Sequence, residues 1–138
     1  MARDRQGPAI KRQILIYPML DDRTVPDPEI GETLTWTYDD NVTGWDALLG
    51  TSPAEVSPYA APARAAVLSN LPPAYIEVGS LDIFRDEDIE YARRLLQAGV
   101  EAELHVLPGA PHAFESFAPD AEVTKRSWAD RLNQIASL

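Results

Sequence analysis

A chain of 138 residues with 45% hydrophobic and 25% charged side chains has the size and composition of one folded domain. Its net charge of −10, from 12 basic and 22 acidic residues, argues against nucleic acid and anionic membrane surfaces as partners, because like charges repel. With no cysteine, a disulfide framework, a thiolate nucleophile and a Cys-ligated metal site are all excluded.

Residues 1–8 hold no apolar stretch, and nowhere does an apolar run approach the ~18 residues of a membrane span, a pattern that reads as cytoplasmic. The first element is a short strand over 14–17, Ile14-Leu15-Ile16-Tyr17, stopped by Pro18. Its lack of alternation suits a strand buried on both faces of a parallel sheet. Residues 18–73 then hold Pro26, Pro28, Pro53, Pro58, Pro62, Pro72 and Pro73 with Gly31, Gly44 and Gly50, a long connection of the kind that builds binding surfaces. Within it, 43–50 reads as one short helix.

A second strand is expected over 74–78, after Pro72-Pro73 and before Gly79. The period then changes. Ile89, Ala92, Leu95 and Leu96 recur at helical spacing over 85–98, with Asp86, Glu87 and Asp88 in the first turn and Gly99 as the stop. A third strand follows over 103–107, so 74–107 forms a strand–helix–strand unit with parallel strands. From Pro119-Asp120 a last helix runs to the end, with Asp120 as its cap and Ala121, Thr124, Trp128, Leu132 and Ile135 as the stripe facing the sheet. The expected architecture is a single α/β domain over 1–138 with about three parallel strands and flanking helices.

In such sheets, reactive groups gather in the loops beyond the carboxyl ends of the strands. Asp82 lies four residues beyond Val78, and His112 lies five beyond Leu107. Adjacent strands sit ~4.8 Å apart, so the two side chains come within reach if these strands pair. A carboxylate that fixes the tautomer of an imidazole leaves the second ring nitrogen to take a proton from a nucleophile. Taken singly, Asp82 is a turn or helix-start residue and His112 a loop residue; their matched placement makes an acid–base dyad the alternative. His105, mid-strand, is read as structural. Trp36, Tyr38 and Trp45 are either walls of an acyl or alcohol site or ordinary packing of the short helix, with Trp45 the named substrate-binding candidate. Asp21 and Asp22 read as turn residues, and Asp86, Glu87 and Asp88 as a favourable acidic helix start rather than a metal site.

Five stretches in order, Ile16-Tyr17-Pro18-Met19-Leu20-Asp21-Asp22-Arg23, Tyr59-Ala60-Ala61-Pro62-Ala63-Arg64, Leu71-Pro72-Pro73-Ala74-Tyr75, Leu81-Asp82-Ile83-Phe84-Arg85-Asp86-Glu87 and Pro108-Gly109-Ala110-Pro111-His112-Ala113-Phe114, resemble the hormone-sensitive-lipase-like carboxylesterases of the α/β-hydrolase fold. The resemblance implies an ester hydrolase acting on small-molecule esters without cofactor or metal. It implies Asp82 as triad acid and His112 as triad base, and association of two copies through the last strand and helix. Ile83 and Ala113 depart from the family's usual Pro and Gly; Ala113 adds a Cβ that matters if its φ is positive.

The family's nucleophile sits in a Gly-x-Ser-x-Gly elbow. Here glycines stand at 7, 31, 44, 50, 79, 99 and 109, with no two four apart and no two adjacent, so neither that elbow nor a glycine-rich oxyanion segment is present. The nearest approach, Gly50-Thr51-Ser52-Pro53-Ala54, has Pro and Ala where the elbow needs small, permissive residues. Residues 1–8 resemble the end of the helix after the elbow, which makes the chain the C-terminal part of such a domain, expected to be inactive alone and prone to aggregate along its first strand. Alternatives are a non-catalytic chain that binds a partner, and a part of a prolyl-oligopeptidase-like serine peptidase.

Overall fold

Parallel pairing of three apolar runs sets the framework. The computed structural model describes residues 1–30, 35–51 and 54–138. In chain order come β1 (Gln13–Ile16), α1 (Tyr38–Leu49), β2 (Ala74–Gly79), α2 (Arg85–Gln97), β3 (Ala102–Leu107), α3 (Phe114–Phe117) and α4 (Glu122–Ala136), with a 3-10 turn at Pro62–Arg64. The sheet order is β1-β2-β3, all parallel, with Gln13 opposite Ala74 and Ala74 opposite Ala102. This is the α/β arrangement the sequence implies. Gly31, Ser52 and Pro53, cited above as loop punctuation and as part of the nearest elbow-like segment, lie outside the described residues.

The strands and α2 fall within about a residue of expectation because their signals are local: apolar runs stopped by Pro or Gly, and a helix whose C-terminal Gly99 takes φ +75. The short helix differs. It starts at Tyr38, five residues earlier than the spacing suggested, because Thr37 and Asp40 form a capping box, with the Asp40 N–H donating to Thr37 Oγ1 at 3.1 Å and the Thr37 N–H to Asp40 at 2.9 Å.

The two faces of β2 are held by different physics. Ala74 and Ile76 pack into a core with Tyr91, Ala92 and Leu95 of α2 and with Leu20, Leu68 and Val100. Burying a side chain of the size of Ile76 contributes roughly 1.5–3 kcal/mol. Tyr91 belongs to this face of α2, whereas Ile89 and Leu96, expected there, are exposed.

The opposite face carries Glu77, fully buried on the central strand. Its Oε1 accepts from Ser127 Oγ at 2.7 Å and from Arg131 at 2.7 and 3.2 Å, and its Oε2 accepts from the Tyr75 hydroxyl at 2.7 Å. A buried carboxylate left unpaired costs several kcal/mol, so α4 turns its polar side inward to meet it. This corrects most of the expected stripe: Thr124 is buried as expected, but beside Ser127, Arg131 and Gln134, while Trp128, Leu132 and Ile135 are 49%, 58% and 57% exposed. Asp120 is not the cap either. That position falls to Ala121, which offers no side-chain hydrogen bond, and α4 starts at Glu122.

Candidate active site

The site lies beyond the carboxyl ends of β2 and β3, and Gly79 lets the two loops meet. A Cβ at Gly79 would stand 2.0 Å from the Ala110 carbonyl oxygen, so only glycine permits this approach. The Ser80 N–H donates to the Leu107 carbonyl at 2.9 Å and the Leu81 N–H to the Ala110 carbonyl at 3.1 Å. In return, the Gly109 N–H donates to Ser80 Oγ at 2.8 Å.

Asp82 and His112 face each other across this junction. Asp82 is 0% exposed; its Oδ1 accepts from the Phe84 N–H at 3.0 Å, and its Oδ2 lies 2.9 Å from His112 Nδ1. The carboxylate therefore holds the hydrogen on Nδ1, and Nε2 is left as the acceptor. With its side chain 17% exposed, His112 reaches the surface while its partner does not. The structure brings together the two residues that matched placement singled out.

Three rings surround the imidazole: Tyr17 at 4.4 Å between centroids, Phe84 at 5.5 Å and Trp36 at 5.8 Å. Of the aromatic residues in the long connection, Trp36 is the one with a ring contact to His112. Trp45 is buried on α1, and the Tyr38 hydroxyl accepts from the Asp27 N–H at 2.8 Å. Sequence reasoning missed Tyr17, whose signal was its place as the last residue of an apolar run before Pro18. Both Tyr17 (φ +35) and Ala113 (φ +53) adopt left-handed backbone next to His112, a region that disfavours non-glycine residues.

The acidic start of α2 is more than a helix start. Asp86 is exposed beside Arg85, but Glu87 and Asp88 are buried. Glu87 holds the loop after β1, accepting from the Leu20 N–H at 2.5 Å, the Asp21 N–H at 3.0 Å and the Thr24 hydroxyl. Burial pushes its carboxyl up to about 7 against that hydrogen bonding. Neither Asp88 oxygen has a partner among the described residues, and burial, with Glu87 and Asp82 nearby, pushes Asp88 up to about 10. Asp88 therefore keeps its proton at neutral pH and adds no second negative charge beside Asp82.

Asp21 pairs with Arg23 at 2.7 Å and Asp22 with Arg64 at 2.6 Å, both in loop roles. His105 bridges Glu103 at 2.8 Å and Asp130 of α4 at 3.3 Å, a structural position. Among the described residues no His, Asp and Glu cluster suits a metal ion, and no helix is long and apolar enough to cross a membrane.

A parallel sheet with a carboxylate and an imidazole on successive strand ends defines a class. The family model described as alpha/beta hydrolase fold matches residues 1–116, and the chain belongs to that family. Esterase LipI of Mycobacterium tuberculosis is 35% identical over 124 residues, covering 85% of this chain and 38% of its own length. Hormone-sensitive lipase of Mus musculus is 33% identical over 81 residues, covering 57% of this chain and 11% of its own length. The crystal structure of esterase LipW from Mycobacterium marinum matches with a TM-score of 0.90 at 35% identity, covering 99% of this chain and 43% of that one. The chain thus spans less than half the length of these relatives, and the resemblance to hormone-sensitive-lipase-like carboxylesterases is borne out.

Proposed function

We propose that this chain supplies the acid and base of a serine carboxylesterase acting on small-molecule esters, and that its 138 residues are part of one hydrolase domain. The observation that carries the reading is the 2.9 Å contact between buried Asp82 and His112 Nδ1. In that reaction a serine hydroxyl attacks the ester carbonyl carbon while its proton passes to His112 Nε2. The tetrahedral intermediate collapses as the alcohol leaves with that proton, and water, deprotonated by Nε2 in turn, releases the acid. Asp82 holds the ring and balances the imidazolium charge. Trp36 forms a wall for the acyl or alcohol part. Trp45, buried on α1, is the second candidate wall.

The glycine spacing supports a nucleophile and oxyanion donors that come from a segment outside these 138 residues, so the chain alone turns over no ester. Two observations test this together: the reading frame upstream of the Met1 codon, and labelling by a serine-directed fluorophosphonate. An in-frame Gly-x-Ser-x-Gly upstream, with labelling of the extended polypeptide and none of the chain alone, is the expected result. An in-frame stop upstream would sink the reading in favour of a short non-catalytic product.

A second reading concerns association. Among the described residues β3 is an edge strand, and α4 beside it exposes Trp128, Leu132 and Ile135, a surface suited to a second copy of the chain. Light scattering is expected to give a dimer that Leu132→Glu dissociates; a monomer at all concentrations rejects this surface.

A further inference from the structure

The Asp82 hydrogen bond fixes one nitrogen of His112, but the ring can still swing about that bond. Of the three rings around the imidazole, only Tyr17 among the described residues has an anchor of its own. Its hydroxyl donates to Glu115 Oε1 at 2.7 Å, and Glu115 sits on α3, three residues beyond His112. The same Glu115 oxygen accepts from Arg131 at 3.0 Å, and Arg131 is paired with buried Glu77 on β2. A continuous chain of hydrogen bonds, buried at Glu77 and Arg131 and half-buried at Glu115 and Tyr17, therefore runs from the central strand to the imidazole and meets it edge-on at 60° between planes.

This chain reaches His112 by two routes. Through space, it sets the position of the Tyr17 ring. Through the backbone, it ties down the short helix that follows the histidine. Tyr17 also takes φ +35, and its N–H donates to the Glu77 carbonyl at 2.6 Å, so the residue is held in an unfavourable backbone region at both ends. Burial and the neighbouring Glu115 push the Tyr17 hydroxyl up to about 12, which keeps it a donor at any working pH.

We propose that Tyr17 and Glu115 are positioning residues for His112, held by Arg131 and Glu77, and that they restrict the imidazole to the orientation in which Nδ1 faces Asp82. The inference rests on the reading of His112 as the base. Among the described residues, neither makes a hydrogen bond to His112 or Asp82.

The test follows the His112 Nδ1–H of the full chain by NMR, with the His105 ring as internal reference. Tyr17→Phe keeps the ring and removes the anchor; it is expected to speed solvent exchange of that proton about fivefold, the equilibrium factor for one ordinary hydrogen bond. Glu115→Ala does the same or more, while Glu115→Gln, whose amide oxygen still accepts from Tyr17, restores most of the protection. The His105 signals stay in place throughout. Unchanged exchange in both Tyr17→Phe and Glu115→Ala overturns the positioning role, as does a response of His105 in step with His112, which would mean general loosening. A parent chain with no protected Nδ1–H overturns the Asp82 pairing itself and the positioning with it.

Discussion

The two flanks of β2 are finished to different degrees. Toward β3, the loops are zipped together at Gly79, Asp82 is sealed from solvent, and α4 is locked to the central strand by Glu77 and Arg131. Among the described residues the sheet ends at β1 as it does at β3, but no helix-borne ion pair locks the β1 side. All six residues of β2 are buried, whereas the four residues of β1 are half-buried along their whole length, and β1 pairs on one side only among the described residues. On the proposed reading, that difference separates the acid and base from the nucleophile. Asp82 and His112 meet on the β3 flank, and the proposed nucleophile strand would join the β1 flank.

If the β3 flank depends on its buried ion pair, Arg131→Ala is the most damaging change. It leaves Glu77 buried without its cation, and a loss of about 3–5 kcal/mol is expected in chemical denaturation. A matched pair of truncations then sets the flanks against each other. Ile76→Ala on β2 is expected to cost about 3–4 kcal/mol, and Leu15→Ala on β1 about 1–2, because a half-buried site loses less transfer energy and leaves less cavity. Equal losses would mean that the β1 flank is as finished as the other.

Asp88 gives the β3 flank a pH signature. Its folded-state carboxyl is raised from 3.8 to about 10, so above pH ~4 the folded protein holds a proton that the unfolded chain has released. The resulting penalty is absent below the unfolded value and grows as pH rises toward the folded value. Stability therefore falls with rising pH over that window. Asp88→Asn removes this fall, so its advantage over the parent is small near pH 4 and grows steadily toward pH 8. Melting curves across pH check it, and parallel curves would refute it. The smallest expected effect is at Ala113, where φ +53 penalises a Cβ. Ala113→Gly should stabilise by about 0.5–1 kcal/mol, read as a small rise in Tm.

The parts legible in the sequence were those with local causes. Gly79, Gly99 and Pro108 punctuate β2, α2 and β3, and matched loop positions beyond two paired strands offered Asp82 and His112 as a pair that the family resemblance then favoured. The orientation of α4 was not legible. Its apolar stripe pointed to the wrong face, because the inward side is chosen by one buried carboxylate fifty residues away in sequence, at Glu77, and not by the helix itself. Glu87 and Asp88 misled for a related reason: an acidic first turn looks the same whether its side chains meet solvent or anchor a distant loop. Tyr17 carried no chemical signal of its own, since its role comes from a partner on α3. The Thr37–Asp40 capping box was readable and would have placed the start of α1.

Ester hydrolysis by an upstream-extended polypeptide, compared with that of the 138-residue chain, bears most directly on the acid–base pair. The expected result is turnover of a short-chain p-nitrophenyl ester by the extended protein alone, reduced about 10⁴-fold by Asp82→Asn and at least as strongly by His112→Ala. Turnover by the chain on its own, or an extended enzyme indifferent to His112→Ala, would contradict the account.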